Sequence, residues 1–231
     1  MAGTALVGYF KHGAVRITGI AMLALLAFSV LPAQAQWTAL TAPGQATRNV
    51  AGEPTVLAIA KNARILAVGH SKSKSVAFYN PDTAALLGST TLPKEPVDIV
   101  LSDDGSVAFA LYESSGIKIA AINTATRAIA NTWSIAGEPA GMVLNGSELL
   151  VADKDGNRLV GINRATGVVT RTKSLTKQPL LIGINAASTL ILVGVKDGEL
   201  QLLDSGTLAV TRSVTVGDDI RSLAGLVGGY Q

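Results

Sequence analysis

The stretch from Glu95 to Ile135, EPVDIVLSDDGSVAFALYESSGIKIAAINTATRAIANTWSI, decides the fold. Val97–Leu101 is a short apolar run, and Ser102-Asp103-Asp104-Gly105-Ser106 after it is a turn cluster rich in residues that tolerate positive φ. Val107–Tyr112 is a second run, closed by Glu113-Ser114-Ser115-Gly116, and Ile117–Ile122 is a third. Asn123-Thr124-Ala125-Thr126 follows, with Asn123 placed to close an Asx-turn, and Ile129–Ile135 is the fourth run. Short runs of strand-forming residues joined by tight turns predict one four-stranded antiparallel sheet.

The same parts recur in the same order. Each copy opens on an acid or amide followed by proline: Glu53-Pro54, Glu95-Pro96, Glu138-Pro139 and Gln178-Pro179. These prolines are 42, 43 and 40 residues apart, and a fifth copy starts at Asp219-Ile220. Strands are expected near 56–60, 65–69, 76–79 and 86–92 in the first copy. In the third they fall near 141–144, 149–152, 159–162 and 168–175, and in the fourth near 180–184, 190–195, 200–203 and 209–216. The third strand always ends on a turn-forming polar group, Asn80, Asn123, Asn163 or Asp204. The first three strands of a copy are nearly continuous apolar runs, as in sheets packed on both faces. The fourth alternates, as in Val169-Thr170-Arg171-Thr172-Lys173-Ser174, which suits an edge blunted by charge.

A period near 41 residues with only β-type runs inside it predicts an all-β protein, a β-propeller of about four blades with a partial fifth. The repeats span about residues 52–93, 94–136, 137–175 and 176–217, and the partial blade would come from 36–51 and 218–231. Two closures are open at this point. The two end pieces could complete a ring within one chain, or an arc could be completed by a partner, including a homodimer, because unpaired blade faces would expose apolar surface.

The first 35 residues stand apart. Lys11, His12 and Arg16 precede an uncharged stretch from Ile17 to Leu31, and Ala33-Gln34-Ala35 offers the small-x-small pattern that signal peptidase accepts. The stretch is shorter than the roughly 20 apolar residues of a membrane span and is followed by Pro32. A cleaved signal peptide is therefore expected, with a periplasmic or secreted mature chain from Gln36 and no membrane span after cleavage. The segment removed holds two of the 19 Lys and Arg and none of the 16 Asp and Glu, leaving 17 minus 16, or +1. That balance lacks the basic face that nucleic-acid binding demands. The chain has no cysteine, which excludes thiolate nucleophiles, thiolate metal sites and c-type haem attachment.

Leu149 to Thr166, LLVADKDGNRLVGINRAT, followed by an alternating strand, resembles the YVTN-type β-propeller repeat of exported bacterial and archaeal proteins, a WD40-like architecture. The likeness covers about residues 52 to 217. The stretches at the position of the namesake tetrapeptide are Ala67-Val68-Gly69-His70, Ala110-Leu111-Tyr112-Glu113, Leu150-Val151-Ala152-Asp153 and Gly194-Val195-Lys196, none of which spells it. A rigid propeller platform with variable loops and no catalytic set predicts a non-enzymatic scaffold of the bacterial cell envelope that binds a protein or small ligand across one face, with no cofactor. Similar exported propellers include lactone-hydrolysing enzymes and subunits attached to quinone-dependent dehydrogenases, and these set the alternative reading.

Strand alternation places the loops before strand one and between strands two and three at one end of the molecule. That end is expected to collect Glu53, Glu95, Glu138, Gln178 and Asp219 from one set of loops and His70, Glu113, Asp153 and Lys196 from the other. These residues form the candidate site for a ligand or partner, set against the plainer account that loops are polar because their backbone must be solvated. Asp153-Lys154-Asp155-Gly156-Asn157 has the alternating oxygens that begin calcium loops, but glycine is fourth and Arg164 stands where a bidentate Glu is wanted, so an Asp-Gly turn explains it better. His70 is the one histidine outside the leader, too few for an imidazole metal site, and no serine lies in a nucleophile-elbow context. No catalytic set emerges. Trp37 and Trp133 belong to outer strands, where covering a blade edge is the expected role.

Overall fold

The structure is a computed structural model that describes residues 16–18, 47–50, 52–217 and 220. Most of the leader, most of the two closing pieces, Trp37 and Asp219 lie outside the described residues. Two short strands, β1 (Arg16–Thr18) and β2 (Thr47–Asn49), pair antiparallel with Arg16 opposite Asn49. Sixteen further strands build four sheets, each in chain order. Blade 1 holds β3 (Pro54–Ile59), β4 (Leu66–His70), β5 (Ser75–Tyr79) and β6 (Leu86–Thr91). Blade 2 holds β7 (Pro96–Leu101), β8 (Val107–Glu113), β9 (Ile117–Asn123) and β10 (Ile129–Ile135). Blade 3 holds β11 (Pro139–Asn145), β12 (Glu148–Asp153), β13 (Arg158–Asn163) and β14 (Val169–Ser174). Blade 4 holds β15 (Pro179–Ile184), β16 (Leu190–Val195), β17 (Glu199–Asp204) and β18 (Val210–Thr215). All sixteen expected strands are present within a residue or two, and the described residues contain no helix.

Every blade begins at its proline. Proline has no N–H to give a ladder, so the first residue of a strand is a place it can occupy. In each blade the register then slips by one residue, between Pro54 and Val56, Pro96 and Asp98, Pro139 and Gly141, and Pro179 and Leu181. This bulge is a shared kink that the repeat pattern did not foretell.

The turn between the third and fourth strands is the most regular local device. The side-chain oxygen of Asn80, Asn123, Asn163 or Asp204 accepts the N–H groups two and three residues on, as in Ala125 and Thr126 onto Asn123 at 2.9 Å each. The turn then needs one residue in the left-handed region: Ala84 (φ 54°), Arg127 (65°), Gly167 (74°) and Leu208 (57°). Only glycine takes this conformation freely, and another residue gives up about 1–2 kcal/mol. The cost is offset because the corner presses on the preceding blade. Arg127 of blade 2 lays its guanidinium 4.9 Å from the Phe78 ring of blade 1 and donates to the Leu87 carbonyl, while its own carbonyl accepts the Thr90 hydroxyl at 2.8 Å. Leu208 of blade 4 is buried among Val143, Leu150 and Leu159 of blade 3. Gly167 of blade 3 lies under Trp133 of blade 2, which also stacks on Phe109 with centroids 6.1 Å apart.

Packing follows chain order. The inner strands β3, β7, β11 and β15 lie on one another in sequence, and three apolar clusters fill the spaces between blades 1 and 2, 2 and 3, and 3 and 4. Among the described residues no extensive packing links the strands of blade 4 to those of blade 1. A Cβ placed on Gly167 would overlap the Trp133 indole. Gly167→Ala is therefore expected to destabilise by about 1–3 kcal/mol, the range for overpacking, read in urea unfolding. Trp133→Leu in the same chain should recover part of that loss by opening the space.

Candidate functional site

The two sets of loops do meet at one end of each blade. The N–H of the residue that follows the second strand donates to the carbonyl of the acid or amide before the first: Ser71 to Glu53 at 3.1 Å, Lys154 to Glu138 at 2.7 Å and Lys196 to Gln178 at 2.9 Å. The backbone is thus clamped through an atom every residue type has, which leaves the side chain at that position free to vary. In blade 2, Pro96 pairs with Tyr112, so Glu95 and Glu113 lie side by side and both are exposed.

Register separates the second set of candidates into two kinds. The residues paired with the blade-opening prolines are His70, Tyr112, Asp153 and Val195, and all four are buried. Glu113 and Lys196 sit one residue further and are exposed. The expected row of His70, Glu113, Asp153 and Lys196 is therefore two inward positions and two outward ones. Tyr112 and Val195, equivalent to His70 and Asp153, escaped notice because aromatic and aliphatic residues there read as ordinary strand.

Asp153 is fully buried, and its carboxylate is spent on structure. It accepts Arg158 Nε at 2.7 Å and the N–H groups of Glu138 and Gly156 at 3.1 Å each, and a Cβ on Gly137 would overlap it. Removing one partner of a buried ion pair costs far more than the pair contributes, so Asp153 pins the loop and is no calcium ligand. Glu138 is also engaged, with Lys154 Nζ at 2.9 Å from its carboxylate. It does not stand as a second bare charge beside Glu95. Around Gln178, Lys177 lies 3.6 Å from both Asp197 and Glu199. The rim thus changes character from blade to blade: Glu53, Glu95 and Glu113 form no ion pair among the described residues, blade 3 is internally neutralised, and Lys72, Lys74 and Lys94 add positive charge to blades 1 and 2.

His70 is buried against the Gly52 backbone, and its Nδ1 has no hydrogen-bond partner. Burial lowers its pKa, with the Gly52 backbone pulling the other way. No group of three or more His, Asp or Glu among the described residues is arranged to hold a metal ion.

Asp98 is the unexpected member. It occupies the position of Val56, Gly141 and Leu181, just after the bulge of an inner strand. One oxygen accepts the N–H of Ile99 and the other the N–H of Met142 in blade 3, each at 2.8 Å. The residue keeps some accessible surface, but protein packs round the carboxyl, and this burial pushes its pKa up to about 6 against the two N–H donors that favour the charged form. Aligning the repeats would have exposed it as the one charge in an apolar column.

No family model and no curated protein matches the sequence. Solved structures do match, 1375 chains in all, so the fold is a common one that does not by itself name an activity. The β-propeller domain of Cps50 (Swd1) from Myceliophteria thermophila is similar at 14% identity and a TM-score of 0.61, over 74% of this chain and 57% of that one. Hydrazine synthase of Kuenenia stuttgartiensis is similar at 13% identity and a TM-score of 0.62, over 70% of this chain and 49% of that one. The fold is a β-propeller. The chain spans about half the length of these matched propeller structures.

A pH profile isolates Asp98. A carboxyl raised from 3.8 to about 6 favours the fold fully below the unfolded value, and that contribution is lost as pH rises through the folded one. His70, lowered by burial, acts in the opposite sense, its contribution falling away as pH drops below 6.5. The midpoint of thermal unfolding for Asp98→Asn minus wild type, followed from pH 4 to 7, is expected to rise with pH and level off above about 6, because the common His70 effect cancels in the difference.

Proposed function

We propose that the chain is an exported propeller of the YVTN-like kind that serves as a binding scaffold in the bacterial cell envelope, taking a protein or small ligand on the rim where the two sets of loops meet. One observation carries this reading: the rim backbone of blades 1, 3 and 4 is clamped through carbonyl bonds, and in blade 2 Pro96 pairs with Tyr112, while Glu53, Glu95 and Glu113 are exposed and form no ion pair among the described residues. A rigid frame with variable side chains keeps the entropic cost of recognition low, because little has to be ordered when the partner arrives. Two polar groups at the same end, Asp153 and His70, are buried, and the Asp153 carboxylate is committed to holding its loop.

Export is tested by the amino terminus of material recovered outside the cytoplasm. A start near Gln36 is expected from the charge, apolar stretch and Ala33-Gln34-Ala35 pattern. An intact Met1 in the membrane fraction would overturn it.

Binding is tested by removing the paired acids of blade 2. Glu95→Gln with Glu113→Gln should shift stability by less than about 0.5 kcal/mol, as exposed substitutions do, while recovery of the bound partner from cross-linked envelope extract falls clearly below wild type. Equal recovery with unchanged stability would reduce these carboxylates to solvated loop groups.

A further inference from the structure

The hairpin between β11 and β12 holds a side chain placed to react with its own backbone. Asn145 pairs with Glu148, which leaves Gly146 and Ser147 as a two-residue loop, the shortest of the four connections between a first and a second strand. Gly146 takes the left-handed region (φ 59°) at the first loop position, where tight hairpin turns favour glycine, and nothing lies within 4 Å of the place its Cβ would occupy. Both loop residues are exposed. The neighbouring Ser147 carbonyl accepts the Arg164 N–H at 2.9 Å, whereas the Gly146 N–H enters no hydrogen bond among the described residues.

This combination occurs once. Of the nine asparagines only Asn145 precedes a glycine. The nitrogens that follow Asn123 and Asn163 are already engaged, Thr124 donating to the Ser106 carbonyl at 3.0 Å and Arg164 to that of Ser147. Asn80 is followed by proline, whose nitrogen has no proton to lose. Asn185 precedes alanine, and its amide is tied down: the oxygen accepts the N–H groups of Thr189 and Leu190 at 2.8 and 2.9 Å, and the nitrogen meets Thr189 Oγ1 at 2.9 Å. The half-buried Asn145 amide makes one long bond among the described residues, from Nδ2 to the Ser205 carbonyl of blade 4 at 3.3 Å.

We propose that Asn145 is a self-modification site, at which the backbone nitrogen of Gly146 converts the side-chain amide to an acid and removes this tie between blades 3 and 4. The Gly146 nitrogen gives up its proton and attacks Asn145 Cγ. A cyclic imide closes through the new N–Cγ bond, the Cγ–Nδ2 bond breaks, and ammonia leaves carrying the proton. Water is the one co-reactant. It adds to the imide and opens it either at Cγ, giving aspartate, or at the main-chain carbonyl, giving isoaspartate, in which the main chain runs through the former side chain.

What the amide holds sets the consequence. The Ser205 carbonyl is a fixed acceptor, because it also receives Arg171 Nη2 at 2.9 Å while the Ser205 hydroxyl donates to the Ser188 carbonyl at 2.6 Å. Either product loses the N–H donor and adds a negative charge near that carbonyl and near the Arg171 guanidinium, which Glu148 now holds. The isoaspartyl product also lengthens one arm of the hairpin and so disturbs the pairing of position 145 with Glu148.

Full-length protein aged at body temperature in mildly alkaline buffer, which favours loss of the Gly146 proton, should show an amide-to-acid mass change in the peptide that holds Asn145. Part of that peptide should become a methyl acceptor for an isoaspartyl methyltransferase, and the urea midpoint of the aged protein should move below that of fresh protein. Asn145→Gln keeps an amide but would have to close a larger ring, so it should age with no mass change at this site and no shift in midpoint. Asn145→Asp made directly should lower the midpoint without ageing, a readout that needs no conversion to occur. An unchanged mass at Asn145 in aged wild type sinks the proposal, and so does conversion there that leaves the midpoint where it was.

Discussion

A four-stranded sheet with apolar residues on both faces cannot stand alone in water, and every other feature of this molecule answers to that constraint. Val56, Ala58 and Phe78 point one way from blade 1 while Leu57, Val68 and Tyr79 point the other, and both sets are drawn into apolar clusters. Burial on two sides makes the interior strands read as unbroken hydrophobic runs and confines polar residues to loops and outer strands. It also couples the blades: the face of one is half of the core shared with the next, so stability accrues at interfaces rather than within sheets, as in other repeat architectures.

The same junction is solved three ways. Between blades 1 and 2 a cation lies over an aromatic ring, between blades 2 and 3 an indole closes over a glycine, and between blades 3 and 4 a leucine and a carboxylate-held arginine share the work. What is constant is the backbone, a left-handed corner produced by an Asx-turn and delivered against the preceding blade. A conformation that costs non-glycine residues free energy persists at Arg127 and Leu208, where the corner reaches the neighbouring blade. Side chains there have diverged around a fixed geometry.

This division explains what the sequence made legible. Strand count, blade boundaries and the turn residues follow from apolar periodicity and from Asn, Asp, Gly and Pro, each of which acts locally. Position across a ladder does not. The ladder pairs Pro54 with His70 and Pro96 with Tyr112, so that Tyr112 rather than Glu113 is the equivalent of His70, and a one-residue difference carries a side chain from the buried side to the exposed one. Asp153 looked like a candidate ligand because its partners, Arg158 and the loop N–H groups, become neighbours only once the turn is folded. Asp98 was missed for the converse reason: its second partner is a backbone group in the next blade, 44 residues away.

The residues that hold the rim and the residues that it displays are adjacent in sequence but separate in physics. Ser71, Lys154 and Lys196 bind the preceding loop through backbone N–H groups, an interaction indifferent to side chain, whereas Asp153 and His70 lie inside. Change at Glu53, Glu95 or Glu113 therefore touches surface charge without touching the clamp, while change one position inward at Tyr112 or Asp153 strikes the core. A frame organised in this way can alter what it recognises without altering how it folds, which is why the repeat itself identifies the architecture so clearly and the ligand so poorly.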